Sequence, residues 1–499
     1  MEATGGHNMV ETSKDKIAQR VYNPEVIDIP QEELNWSGVS LSEVLNSEVR
    51  LEASVYNIEG RHAREILRDC KWELSPLCGE NGLATAYHRP RFKRIWVEKS
   101  PFPIYQPSQI LEVYPKPSGY ISEATKTDIE ALRVKKGQIL MTCSGTIGNC
   151  SIVSKTLDNK IFSHDLIRIE CKNEIDIGYV YAFLKTKIGY TLINTNNYGA
   201  VVSHIEPEHL HNIPIPNPPN MLKKRIHELV MKSYELRDDS NELLDKAEEL
   251  LVNELKLPPI NEFKLEYFDT SSNLKNYSVK FSDLSNRFEA SFHVPIVKSI
   301  INHLKNHAKE VTTIGDERIS NKIILPGRFK RVYVEEGQGT VFFGGKQIYE
   351  LDPSEKKYLS VKHHKKRISE ELRLIENMVL VTRSGTIGKV ALVPKHWENW
   401  VINEHVIRII PASNSIAGYL YVFLSSPYGY ELIKRFTYGS VVDEIDDNHV
   451  SQIEIPLVSP EKQDEINHLA LESNNLRYEA YKLEQQALAI VNKEVIHKK

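Results

Sequence analysis

Ser144-Gly145-Thr146-Ile147-Gly148 returns as Ser384-Gly385-Thr386-Ile387-Gly388, and this repeat decides how the chain is read. Extended outward at a constant offset of 240, residues 144–216 align with residues 384–456 without a gap, and 29 of the 73 positions are identical. Gly178-Tyr179, Tyr181, Phe183 and Leu184 return as Gly418-Tyr419, Tyr421, Phe423 and Leu424. Tyr198-Gly199 returns as Tyr438-Gly439, and Ile213, Ile215 and Pro216 return as Ile453, Ile455 and Pro456. Upstream the register holds at an offset of 237: Arg50-Leu-Glu-Ala-Ser54 matches Arg287-Phe-Glu-Ala-Ser291, and Arg91-Phe-Lys-Arg94 matches Arg328-Phe-Lys-Arg331. Solenoid repeats run to only ~20–50 residues, so this is a duplicated module and not an array. Two copies imply two similar sites held at a fixed separation.

The bulk properties narrow the class. With 499 residues the chain is too long for one core. It is 41% hydrophobic and 26% charged, ordinary values for a globular protein. No apolar run approaches the ~18 residues of a membrane span, and the first residues lack a signal-peptide layout, so the expected location is the cytoplasm without membrane contact. Cys70, Cys78, Cys143, Cys150 and Cys171 all lie in the first copy, without CxxC spacing. The second copy has none, so neither disulfides nor a metal is expected to hold the fold. The net charge of −4 does not single out a polyanion binder. The cations are clustered, however, at Arg89, Arg91, Lys93 and Arg94, and again from Lys362 to Arg367.

Both copies mix strand and helix signals. Residues 138–142 read as a short strand running into the Ser-Gly-Thr-Ile-Gly turn, and Ile167 and Ile169 mark another. Val180, Phe183, Leu184, Ile188 and Leu192 have helical spacing and predict one helix over 176–194. Ile213-Pro214-Ile215-Pro216 predicts an extended exit. Residues 221–256 lack proline and glycine and predict a single long helix ending at Pro258-Pro259. On it Leu229, Ser233, Leu236, Ser240, Leu243, Ala247 and Leu250 form a heptad seam. Leu469, Ser473, Leu476, Ala480, Leu483, Ala487 and Ile490 repeat that seam at the same offset. Alternating small residues let two backbones approach closely while leucines fill the space beside them. The expected arrangement is therefore an antiparallel helix pair, with packing of each helix on its own module as the alternative.

No catalytic constellation survives the duplication. Ser-Gly-Thr-Ile-Gly lacks the glycine spacing and Lys-Ser/Thr pair of a phosphate loop, and β residues follow it; a tight turn with positive φ fits better. Asn217-Pro218-Pro219-Asn220 lacks the aromatic residue with which amino-methyltransferases stack a flipped base. His209 and His449 match across the copies without a matched acid or thiol partner, and read as packing residues. His164-Asp165 becomes Glu404-His405, so that polar pair is not kept in kind.

The copies differ most between the Arg-Phe-Lys-Arg segment and the glycine turn. The first copy has Tyr105, Gln109, Tyr114, Lys116, Lys126 and Arg133 there. The second has Gln347, Tyr349, Lys356, Lys357, Tyr358 and the Lys362–Arg367 cluster. A kept scaffold carrying divergent basic and polar inserts suits two modules that read different DNA sequences. Kept cations would position the backbone, and divergent side chains would read base edges. The candidate DNA contacts are Arg91, Lys93, Arg94, Lys116 and Lys126 in the first copy. In the second they are Arg328, Lys330, Arg331, Lys362, His363, Lys365, Lys366, Arg367 and Arg383.

Taken together, the strand and glycine turn, the Tyr-Gly segment, the Ile-Pro exit and the long helix after each module resemble the specificity subunit of type I restriction–modification systems. That family generally has a Gln shortly after the Ile-Pro exit; Gln463 fits, whereas the first copy has Lys223. The resemblance implies an α+β fold of two tandem, pseudo-twofold-related target-recognition domains, each followed by a long helix, the two helices pairing as an antiparallel coiled coil. The expected organisation is a leader over 1–35, a first recognition domain over 36–220, a spacer helix over 221–256 and a linker over 257–280. A second recognition domain over 281–460 and a second spacer helix over 461–499 complete it. The implied role is non-catalytic: recognition of a bipartite, asymmetric double-stranded DNA target and docking of two adenine-methyltransferase subunits, with room for a translocating restriction subunit. No cofactor is expected in this chain; S-adenosylmethionine and ATP belong to those partners. The competing reading is a protein-interaction scaffold of a related phage-defence complex.

Overall fold

The computed structural model describes residues 38–46, 56–195, 203–211, 213–265, 277–284, 287–439 and 442–497. The leader, the Arg50–Ser54 match, Tyr198-Gly199 and much of the linker lie outside these residues. Met1–Ile58 and Glu59–Lys499 form separate units. In the first, Ser40 and Glu43 exchange hydrogen bonds and open a short helix, Leu41–Asn46. The second unit holds both modules and both long helices.

The first module contains β1 (Leu74–Pro76), β2 (Ala84–His88), β3 (Trp96–Val97), β4 (Pro103–Tyr105), β5 (Gly119–Ile121), β6 (Ile139–Thr142), β7 (Cys150–Ile152), β8 (Ile161–Phe162), β9 (Leu166–Cys171) and β10 (Pro214–Pro216). The second contains β11 (Glu310–Thr313), β12 (Ser320–Ile324), β13 (Tyr333–Val334), β14 (Thr340–Phe343), β15 (Lys357–Leu359), β16 (Val379–Thr382), β17 (Val390–Leu392), β18 (Val401–Ile402), β19 (Val406–Pro411) and β20 (Glu454–Leu457). The sheets correspond one to one. Order β2-β9-β6-β7 matches β12-β19-β16-β17, β3-β5-β4-β8 matches β13-β15-β14-β18, and the pair β1-β10 matches β11-β20. Thus even the divergent inserts, which supply β4, β5, β14 and β15, fold to one topology.

The kept residues explain why. β6 and β16 are apolar runs buried along their whole length, as sheet interiors require. Each turns into its neighbour through the glycine motif: Gly145 and Gly385 both sit at φ 74°, with Gly148 and Gly388 at 86° and 85°, where a side chain would be strained. Arg168 and Arg408 are fully buried and donate to backbone carbonyls, Arg168 to Ala131, Leu132 and Arg133, Arg408 to Ile402, Asn403 and Val406. Burial pushes the Arg408 guanidinium down to about 9. The hydroxyls of Tyr179 and Tyr419 donate to the carbonyls of Pro216 and Pro456, fastening the exit strand to the helix before it.

One expected helix is two. Glu174–Lys185 and Lys187–Asn194 are separated by Thr186, which is extended and whose hydroxyl caps Gly189 N–H. Ser426 caps Gly429 in the same way, between Asn414–Ser425 and Pro427–Lys434. The apolar spacing continues across the break, so the cap outweighs the periodicity.

The long helices span Asn220–Glu254 and Pro460–Ile490, the second extended by a wider turn over Val491–Ile496. They run antiparallel. Ser233 Oγ donates to Ala480 O at 2.7 Å, Arg237 pairs with Glu484 at 2.8 Å and Arg225 with Glu494 at 3.1 Å. Ser233, Ser240, Ala247, Ser473, Ala480 and Ala487 are buried at the contact. Leu229, Leu236, Leu243, Leu250, Leu469, Leu476 and Leu483 are half-buried beside them, and Ile490 is buried. The small side chains are what let a serine hydroxyl reach the opposite backbone.

The α+β class with two pseudo-twofold-related modules and an antiparallel helix pair is the architecture observed. The helices also pack on the modules, so the two expected alternatives coexist. Helices Glu174–Lys185 and Asn414–Ser425 lie so close to the long helix of their own module that a Cβ on Gly178 would meet His227 Cα at 2.6 Å, and one on Gly418 would meet Asn467 O at 2.5 Å. The first module's core takes Ile226, Val230 and Tyr234 from the first long helix, and Ala487, Ile490, Val491, Val495 and Ile496 from the far end of the second. The second module takes Ile466 and Ala470 from the second helix, Leu244, Ala247 and Leu251 from the far end of the first, and Leu255 just past that end.

The pseudo-twofold is broken where charge is buried. Glu484 receives Arg237 and the Tyr181 hydroxyl, with Lys185 Nζ at 3.9 Å. Burial alone would raise the Glu484 carboxyl, but Arg237 and Lys185 outweigh it and bring it down to about 2. At the related positions stand Leu244 and Ser425, and Arg477 instead bonds Ser240 and Asn241.

Candidate nucleic-acid interface

The Arg-Phe-Lys-Arg segments precede the edge strands β3 and β13 and have the same alternation. Arg91 and Lys93 are exposed and Phe92 and Arg94 turn inward; Arg328 and Lys330 are exposed and Phe329 and Arg331 turn inward. Phe92 packs edge-on against His164 and Phe329 against His364, both at 5.3 Å between centroids. Arg94 donates to Ser163 Oγ at 2.8 Å and lies 3.8 Å from Asp165. Arg331 grips both oxygens of Glu404 at 2.6 and 2.7 Å. Burial works to raise the Glu404 carboxyl, but the Arg331 hydrogen bonds prevail and lower it. The acid serving this arginine has moved by one position between the copies, which is why His164-Asp165 and Glu404-His405 look unrelated in the sequence.

The structure brings most of the candidate cations onto one edge of each module. Ser122 N–H donates to Ile95 O and Ile95 N–H to Thr125 Oγ1, tying the loop that carries exposed Lys126 to the residue just after Arg94. The matching bond runs from Ser360 N–H to Val332 O. It opens the helix Val361–Arg367, in which Lys362, His363, Lys365 and Lys366 are exposed. Buried His364 accepts Val332 N–H at 3.1 Å, and Arg367 donates to Gly327 O while its guanidinium covers Phe329. The basic helix is thereby packed onto the Arg-Phe-Lys-Arg segment. Lys357 on β15, not among the candidates, is exposed on the neighbouring strand.

Other candidates are held by acids. Arg367 pairs with Glu371, and Arg383, at the glycine turn, pairs with Glu444, which Arg328 also approaches at 3.5 Å. Lys116 lies elsewhere, its ammonium 4.0 Å from the Tyr114 ring, which bonds Asp245 of the first long helix.

Part of each insert forms a joint between the modules. Gln109 accepts Gln106 N–H and donates to Lys116 O; Gln347 accepts Gly344 N–H and donates to Ser354 O. Both glutamines brace loops that meet across the pseudo-twofold, where Val113 N–H donates to Tyr349 O and Glu112 pairs with Glu350 in a β-bridge. Lys389 lies 3.7 Å from Glu112. Burial pushes the Glu350 carboxyl up to about 7, against the hydrogen bond from Ser354 N–H. His209 and His449 accept N–H groups at the start of their own helical turns, and His449 also meets Arg287.

Two stretches, residues 96–246 and 335–469, match the model of the type I restriction modification DNA specificity domain, one in each module and together more than half of the chain. The chain belongs to this family. The specificity subunit is similar to the type I S subunit from M. genitalium at 14% identity, over 85% of this chain and 98% of that one, with a TM-score of 0.29. It is similar to the HsdS subunit from Thermoanaerobacter tengcongensis at 14% identity, over 82% and 96%, with a TM-score of 0.25. A chain from a structure addressing complex assembly and conformational transition of the type I system matches at 14% identity, over 86% and 99%, with a TM-score of 0.26. The family assignment rests on the domain match. No curated protein matches. Among the described residues no helix of the specificity subunit is long and apolar enough to cross a membrane.

Proposed function

We propose that this specificity subunit reads a bipartite, asymmetric DNA target, one half per module, and docks two adenine-methyltransferase subunits that carry S-adenosylmethionine. A translocating, ATP-dependent restriction subunit is the further partner of the same complex. The observation that carries this reading is the repetition of a basic edge, Arg91, Lys93 and Lys126 in one module and Arg328, Lys330 and Lys362–Lys366 in the other. Both are mounted on one topology and held by an antiparallel helix pair. Divergent side chains on a common frame give two different half-sites, and the frame fixes their separation. A helix of 35 residues spans about 52 Å. At about 3.4 Å per base pair that is ~15 base pairs, which sets the two half-sites more than one helical turn apart.

The test is a base-resolution methylome of a host expressing the subunit with its methyltransferase. A two-part asymmetric motif with a fixed gap is expected. A complex that methylates no defined motif, and binds specific and random duplexes equally, sinks the reading in favour of a protein scaffold.

A further inference from the structure

Trp96 is the one tryptophan among the described residues that points into solvent, at 51% exposure; Trp397 is buried and Trp72 and Trp400 are half-buried. It stands on the edge strand β3 between Ile95 and Val97, themselves 43% and 37% exposed. Tyr333, 41% exposed, occupies the matching place on the edge strand β13. Single exposed apolar residues are commonplace on protein surfaces. Here the same exposure recurs in both modules, two positions past the Arg-Phe-Lys-Arg segment, and each ring is positioned by the strand beside it. The Trp96 ring lies across Gly119 of β5, where a Cβ would meet it at 2.9 Å. The Tyr333 ring lies under the ammonium of Lys357 of β15, 5.1 Å from its centroid. In the chain, exposed Arg91 and Lys93 precede the first ring by five and three positions, and exposed Arg328 and Lys330 precede the second by the same spacing.

The geometry points to Trp96 and Tyr333 as specificity-determining residues that press their rings against base edges in the groove of double-stranded DNA, one in each half-site. This deepens the proposed function and rests on it. Exposed cations three and five positions before each ring, and the Lys357 ammonium over the Tyr333 ring, favour a polyanion over an apolar protein surface as the occupant. The major groove is the one whose base edges distinguish all four base pairs, and β3 and β13 are the outer edges of their sheets. An aromatic residue at a base edge discriminates by shape and apolar contact and releases no counterions. Its loss and the loss of a phosphate-binding lysine therefore have different salt signatures.

The experiment uses the subunit co-purified with its methyltransferase and compares wild type with Trp96→Ala, Trp96→Phe, Tyr333→Ala and Lys93→Ala. Binding to a duplex carrying the wild-type methylated motif is measured against a random duplex over a salt series, and the methylome is read for each variant. Trp96→Ala is expected to lower the specific-to-random ratio by roughly tenfold at unchanged salt slope, and to loosen one half of the motif. Tyr333→Ala loosens the other half, Trp96→Phe keeps most of the ratio, and Lys93→Ala lowers the slope by about one. Trp96→Ala with an unaltered ratio and motif overturns the inference. So does release of the methyltransferase by Trp96→Ala, which assigns the surface to protein docking. A wild-type complex that itself does not discriminate overturns the underlying DNA-reading function, and is recognised before any variant is compared.

Discussion

Arg94 and Arg331 look equivalent to their neighbours Arg91, Lys93, Arg328 and Lys330 in the sequence, yet their surroundings separate them. Arg331 is committed to Glu404, which is almost fully buried. Arg331→Ala would strand that carboxylate, at about 2 kcal/mol by the usual penalty for an unsatisfied buried charge partner, and should lower the melting temperature. The exposed lysines behave otherwise. Replacing Lys362, Lys365 and Lys366 together by Ala should leave the melting temperature unchanged and reduce the salt slope of DNA binding by about three, one per phosphate contact. An unchanged slope places the basic helix away from DNA. This distinction was not legible in the sequence, because the acid that fixes the arginine sits about 70 residues away and shifts by one position between copies. The prominence of the arginine-lysine segment was legible, because both copies retain it while the following span diverges.

At the level of elements, the glycine turns, the exit strands and the two long helices were legible because each has a local cause: φ positive at glycine, proline against helix, a heptad without breakers. The division at Thr186 and Ser426 was not, because the apolar spacing runs through it and only a hydroxyl cap interrupts the backbone. The buried charge on the helix pair was invisible for another reason. Arg237 and Glu484 are 247 residues apart, and nothing in either heptad marks them as partners. Glu484→Leu would leave Arg237 and Lys185 buried without their acid and should destabilise the folded subunit by about 3 kcal/mol. Calorimetry with Leu244→Met as a control at the pseudo-symmetric position measures this; equal melting temperatures for both variants would show the ion cluster to be dispensable. The Glu484 carboxyl is held down, so its contribution is present above its ordinary value of about 4.5 and is lost only as the pH falls through about 2.

For the whole molecule, the joint between the two inserts has the opposite pH sense. The Glu350 carboxyl is raised by burial to about 7, with Glu112, Lys185 and Lys389 around it. In the folded state it holds a proton that the unfolded chain releases near 4.5. The stability it confers is therefore full below about 4.5 and is lost as the pH rises through about 7. Melting temperatures of the subunit should fall from pH 5 to pH 8 more steeply than those of Glu350→Gln; parallel profiles would exonerate this carboxyl.

The sharing of each core between the near end of one long helix and the far end of the other has a consequence for biosynthesis. Trp72 Nε1 donates to Glu494 O across 422 positions of chain, and Val491, Val495 and Ile496 fill the first module's interior. A ribosome that has finished the first module has not yet made the residues that close it. The N-terminal half must wait, with an open apolar face, until residues 487–496 emerge. Removing residues 487–499 should accordingly expose the first module to protease before the second, and cleavage starting in the second module would contradict this order of closure.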